Sequence, residues 1–162
     1  MGMLASQRIG QVLGRMVREK DISASFFVRV AECLEDPDQK RWFRRMGQDE
    51  KDQRKILLKH RRELCGAADK NEVVPVGSVH ETIEQSARKE PVSYADAMRL
   101  GILAADHMRE LCARASDVTP DRSCRIFLKI LSQESDVHRR ELLTELRRVE
   151  REMLDTTEER AA

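Results

Sequence analysis

Two acids, Glu50 and Glu134, sit in matching surroundings. Each follows an aromatic residue by seven positions (Phe43 and Phe127), and the two stretches lie 84 positions apart. Read as helices, each aromatic and its acid share a face two turns apart, so both acids are expected in the interior. Paired carboxylates on separate helices can hold divalent metal ions, and the side chain three positions on shares their face. Here those side chains are Gln53 and Val137, an amide and an aliphatic group. Lys20 alters the chemistry further. It lies within the apolar stripe Ile9, Leu13, Met16, Phe27 and Ala31 and is expected to point inward. An ammonium there repels a divalent metal and neutralises a carboxylate. Lys20, Glu50, Gln53 and Glu134 are thus expected to form a polar core, with Lys20 paired to one or both acids. If Lys20 snorkels or the register of this helix slips by one, Glu19 takes the inward place. Glu19, Glu50 and Glu134 would then hold one weakly bound metal.

The four histidines offer other sites. His138 lies one turn beyond Glu134, and Glu134, His138 and Glu141 would make a displaced metal site; the alternative is a hydrogen-bonded residue of the core or rim. Gly101, Ala104, Met108 and Cys112 define the inward face of their helix, which leaves Asp106 outside and His107 at the edge. His60 reads as structural, and His80 falls in a connection. Cys33, Cys65, Cys112 and Cys124 are widely spaced with no C-x-x-C pair, and read as reduced and structural; a zinc site or a disulfide set is the alternative.

These residues must be carried by helices. At 162 residues the chain has the length of one domain, and 36% charged with only 4% aromatic residues is the profile of long helices. The apolar spacing predicts four of them. The first runs from about Leu4 to Leu34, the second from Pro37 to about Leu64, the third from Ser93 to about Ala115, and the fourth from Thr119 to about Asp155. Asp36-Pro37 and Thr119-Pro120 are cap-then-proline signals. Residues 65–92 form a crossover broken by Gly66, Pro75, Gly77 and Pro91. Within it, Ser78-Val79-His80-Glu81 has the form of a capping box opening a short helix to about Arg88. Residues 1–155 form the domain, and 156–162 are expected to be a flexible tail. No apolar run reaches membrane-spanning length and residues 1–20 hold no apolar signal core, so a cytoplasmic location and no membrane contact are expected.

Phe26-Phe27-Val28-Arg29-Val30-Ala31-Glu32, Asp36-Pro37, Trp42-Phe43 and Gln48-Asp49-Glu50-Lys51-Asp52 together resemble the first half of a rubrerythrin-type ferritin-like domain. Glu110 to Ala115, Phe127 and Gln133-Glu134-Ser135-Asp136 resemble its second half, so the likeness covers about residues 5–150. It implies an all-α four-helix bundle made of two helical hairpins joined by a long crossover. It also implies a diiron site built from one Glu on each of the first and third helices and a Glu-x-x-His on each of the other two. Placed on this chain, those positions are Lys20, Ala104, Glu50 with Gln53, and Glu134 with Val137, so two of six ligands survive. The paired C-x-x-C motifs of a rubredoxin-like relay are absent.

The expected protein is therefore a rubrerythrin-like bundle that has lost its diiron centre and holds no cofactor, with a structural or partner-binding role. The alternative is an iron- or manganese-binding oxidoreductase or peroxidase of rubrerythrin type with an altered site. Residues 39–64 hold ten Lys/Arg against four acids, which raises nucleic-acid binding. The stripe has no outward aromatics, and 30 basic against 29 acidic residues overall favour a solvated face instead. No nucleophile constellation or phosphate-binding glycine loop stands out. Leu142, Leu146, Val149 and Met153 continue one side of the last helix beyond the bundle, toward a homodimer contact or the early turns of the first helix.

Overall fold

A computed structural model describes residues 2–66, 76–89 and 92–161, and the side chains of residues 8–66, 76–86 and 92–161. The described residues form five helices and no strand: α1 (Gly2–Cys33), α2 (Pro37–Cys65), α3 (Ser78–Lys89), α4 (Tyr94–Val118) and α5 (Arg122–Ala161). None of these helices is long and apolar enough to cross a membrane. Pro75 and Pro91, expected to break the crossover, lie outside the described residues, as does Ala162 at the end of the tail.

Local chemistry sets the helix ends. Asp36 accepts hydrogen bonds from the Asp38 and Gln39 amides, while Pro37 occupies a first-turn position that needs no donor. Gly66, with φ of 70°, ends α2 and donates its amide to the Arg62 carbonyl. Ser93 caps α4 through the Asp96 amide. Two expected caps move by a residue or two. Gly77, not Ser78, precedes α3, and its carbonyl accepts from the His80 and Glu81 amides. Asp121, not Thr119, caps α5, accepting from the Cys124 amide at 2.6 Å, while Thr119 closes α4. The expected tail also differs, because α5 stays helical as far as Ala161 with every residue from Glu150 onward exposed.

α1 packs along α2 and α4 along α5; α3 lies against α1 and α4. Two apolar clusters fill the interior. One joins Ile9, Leu13, Met16, Leu57, Met108, Cys112, Leu128 and Leu131. The other joins Phe27, Ala31, Phe43, Met46, Ile83, Met98, Leu142 and Leu146. Burial of a side chain such as Phe43 or Leu57 contributes about 1.5–3 kcal/mol relative to exposure. Between these clusters lie most of the buried polar residues of the long helices: Glu19, Lys20 and Ser23 on α1, Glu50 and Gln53 on α2 and Ser135 on α5, with partly buried His107 on α4, while buried His60 and Ser116 lie toward the far end of the first cluster. The interior is thus two apolar halves separated by a polar layer.

None of the four cysteines forms a disulfide; Cys112 and Cys124 are buried, and burial pushes the Cys112 thiol up to about 12, so it is a protonated packing group at neutral pH.

Candidate functional site

Lys20 and Glu50 form the centre of the polar layer. The helical stripe that buries Met16 and Phe27 carries Lys20 inward, and the stripe Phe43, Met46, Leu57 carries Glu50 to meet it. Lys20 Nζ donates to Glu50 Oε1 at 2.9 Å, with side chains only 3% and 8% exposed. Glu19 is equally buried, so α1 turns both candidate residues inward. His138 closes the other side, with Nδ1 3.9 Å from Glu50 Oε1 and Nε2 3.7 Å from Asp49 Oδ2.

Glu134 and Val137 are not in the interior. Both are exposed, Val137 by 44%. The face α5 turns inward is Leu131, Ser135 and Leu142, and Glu134 lies roughly 60° to one side of it on a 3.6-residue turn. That flank also holds Phe127, half-buried and stacked on His60 of α2 with ring centroids 5.1 Å apart. Glu134 reaches the layer from outside through Gln53, whose Nε2 donates to Glu134 Oε2 at 2.9 Å, while buried Gln53 Oε1 has no protein partner. The displaced site of Glu134, His138 and Glu141 is not assembled, because His138 turns toward α2 and Glu141 pairs with Arg45 at 3.7 Å.

A cavity of about 10 Å³ adjoins Lys20, Ser23, Glu50, Ala104 and His138. That is room for about one water. The residues at the six positions that the rubrerythrin resemblance implies for a diiron site do not fit two irons. Lys20 Nζ already occupies Glu50, Ala104 offers a methyl group, Glu134 reaches only Gln53 from the outside, and Val137 is exposed.

A second network lies beside the first and was not legible as a site. Glu19 accepts from Arg15 Nε at 2.9 Å and from the Gly77 amide at 2.8 Å. His107 Nε2 lies 3.3 and 3.2 Å from its two oxygens, and His80 Nδ1 lies 3.8 Å from Oε2. His80 Nε2 contacts Ser23 Oγ at 3.1 Å, and the two imidazoles are tilted with centroids 5.6 Å apart. His80, placed in a connection by sequence alone, is 1% exposed. Burial on its own would raise the Glu19 carboxyl, but His107, His80, Arg15 and the Gly77 amide together hold it down at about 2. Burial also pushes His80 down to about 4 against the pull of Glu19, with His107, Lys20 and Arg15 reinforcing the shift. His80 is therefore neutral at pH 7, and Arg15, His107 and Gly77 support the Glu19 charge there. The signals for this network were the polar stripe Arg15, Glu19, Ser23 at i, i+4, i+8, and His80 three positions before apolar Ile83.

Five of the ten basic residues of α2 pair with acids. Arg41 pairs with Asp38, Arg45 with Glu141, Arg54 with Asp21, Lys55 with Asp52 and Lys59 with Glu63, and Arg61 donates to the Gly10 carbonyl.

No protein-family model and no curated protein matches the chain. Among solved structures, the fold is similar to that of a hypothetical protein from Pyrococcus furiosus, with a TM-score of 0.70 at 16% identity over 86% of this chain and 88% of that one.

Proposed function

We propose that this chain is a ferritin-like four-helix bundle of rubrerythrin type in which an ion pair stands in place of the diiron centre. α1 with α2 and α4 with α5 are the two hairpins, and residues 66–93 with α3 are the crossover. The role is structural or partner-binding, and the partner is a second copy of the chain meeting it through the extension of α5. The observation that carries this reading is the 2.9 Å contact of Lys20 Nζ with Glu50 Oε1 in the layer where the metal would lie. A buried pair of this kind need not add net stability over apolar side chains, but it fixes how two helices register. The exposed Met153 and Leu154 on the α5 extension support the dimer.

Elemental analysis of the purified chain, with the Glu50→Gln variant beside it, tests the central claim. Two irons or manganese ions per chain, lost on Glu50→Gln, would overturn it.

A further inference from the structure

We propose that Glu19, His80 and His107 form a mononuclear site for a divalent transition-metal ion, distinct from the Lys20–Glu50 pair. One carboxylate oxygen and one nitrogen from each imidazole lie within 4.8 Å of one another. Two of the separations, 3.2 Å from His107 Nε2 and 3.8 Å from His80 Nδ1 to Glu19 Oε2, are near the roughly 3.4 Å between neighbouring ligands around a tetrahedral ion with bonds of about 2.1 Å.

Two local conflicts point to a cation. His107 Nε2 faces Arg15 Nη2 at 3.1 Å and the Glu19 oxygens at 3.2 and 3.3 Å. A guanidinium only donates and a carboxylate only accepts, so one imidazole nitrogen satisfies one of them and opposes the other. An ion between nitrogen and carboxylate accepts both lone pairs. The second conflict is His80 Nδ1, which is buried and has no hydrogen-bond partner although it is directed at the same carboxylate. With Nε2–H donating to Ser23 Oγ, Nδ1 keeps a free lone pair aimed at the site, an outer contact of the kind that orients metal-ligating histidines. A buried ligand atom without a partner is costly unless something occupies the space before it.

Arg15 is the cation that stands there without the ion. Its side chain is 33% exposed, so it has a path to solvent when an ion enters. Two imidazoles and one carboxylate suit zinc, iron(II), cobalt(II) or nickel(II) and disfavour magnesium and calcium, which take oxygen ligands. Three protein ligands leave at least one position for water.

Cobalt(II) titration of the full-length, metal-stripped chain at pH 7.5 tests the site, read by visible absorption and competed with zinc. We expect one ion per chain, at least roughly tenfold weaker binding in His80→Ala and in His107→Ala, and tighter binding in Arg15→Met, which removes the competing cation. Circular dichroism checks that each variant is folded. Should the histidine variants not fold, Arg15→Met decides alone, and unchanged or weaker binding there overturns the proposal. Absence of cobalt uptake by the native chain, or uptake that both folded histidine variants retain, also overturns it. Glu50→Gln leaves this binding in place, so failure here is separable from failure of the ion-pair reading, where two ions would depend on Glu50.

Discussion

Glu19 and Lys20 are consecutive, both are buried, and they serve different helices. Glu19 meets Gly77, His80 of α3 and His107 of α4; Lys20 meets Glu50 of α2. Adjacent helical side chains diverge by about 100°, so α1 must be covered on a wide arc for both to be inside. That arc is supplied by α2 on one side and by α3 and α4 on the other. The pair of residues therefore explains why a register choice between Glu19 and Lys20 has no single answer: each is inward toward a different neighbour.

Removing the ammonium of Lys20 leaves Glu50 buried without its counter-ion. Lys20→Ala is expected to destabilise the chain by about 3–5 kcal/mol. At roughly 2–4 °C per kcal/mol for this chain length, that is a fall in Tm of about 6–20 °C. The double variant Lys20→Met with Glu50→Met should recover most of the loss, since no charge is then stranded. An unchanged melting temperature in the single variant would show that Glu50 is not dependent on Lys20.

Acid should weaken the fold in two overlapping stages. His80 has a folded pKa of about 4 against an ordinary 6.5, so between those values the unfolded chain binds the extra proton and stability falls as pH falls. Glu19 has a folded pKa of about 2 against 4.5, so its contribution is present above the higher value and is lost as pH drops through the lower one. The first stage amounts to about 3 kcal/mol by pH 4. Urea unfolding at pH 7.5 and pH 5 checks it: His80→Gln should remove much of the difference between the two pH values. An equal difference in variant and native chains would place the acid sensitivity elsewhere.

How much of this was legible in the sequence follows from which interactions are local. The start of α2 was readable because Asp36 and Pro37 settle it between themselves, and Lys20 was readable because the stripe from Ile9 to Ala31 points one way. Glu134 was misplaced because its seven-residue spacing from Phe127 copies that of Glu50 from Phe43, while α5 in fact faces inward along Leu131, Ser135 and Leu142. Phe127 is itself only half-buried, so the repeat preserved a spacing without preserving a face. His80 could not be recovered from periodicity alone. Its burial depends on where α3 docks against α1 and α4, and a 12-residue helix after a long connection carries no local record of that.

Gly47 lies where α2 packs tightly on α1. A Cβ there would lie 3.0 Å from Val28 Cγ2 and 3.2 Å from the Ala24 carbonyl oxygen. The valine methyl can give a little, but the carbonyl belongs to the backbone of α1 and cannot. Alanine gains up to about 1 kcal/mol in helix propensity over glycine, and overpacking costs about 1–3 kcal/mol. Gly47→Ala is expected to be net destabilising by up to about 2 kcal/mol in chemical denaturation. A stabilised variant would mean that the two helices separate freely.

The far end of α5 tests the proposed dimer. Leu146 is the last buried residue of this helix, and everything from Glu150 to Ala161 is exposed, including Met153 at 61% and Leu154 at 65%. A helical end of three turns without packing is marginal in water, so the folded monomer gains little from it. Removing residues 151–162 is therefore expected to leave the unfolding of each chain within about 0.5 kcal/mol of the original, the range of surface changes. If the extension packs against its counterpart in a second copy, sedimentation analysis will show the dimer dissociating at concentrations at least roughly tenfold higher after truncation, a difference of about 1.4 kcal/mol. An unchanged dimer would move the contact to another face. A truncated chain that loses several kcal/mol would instead mean that the extension folds back on its own subunit.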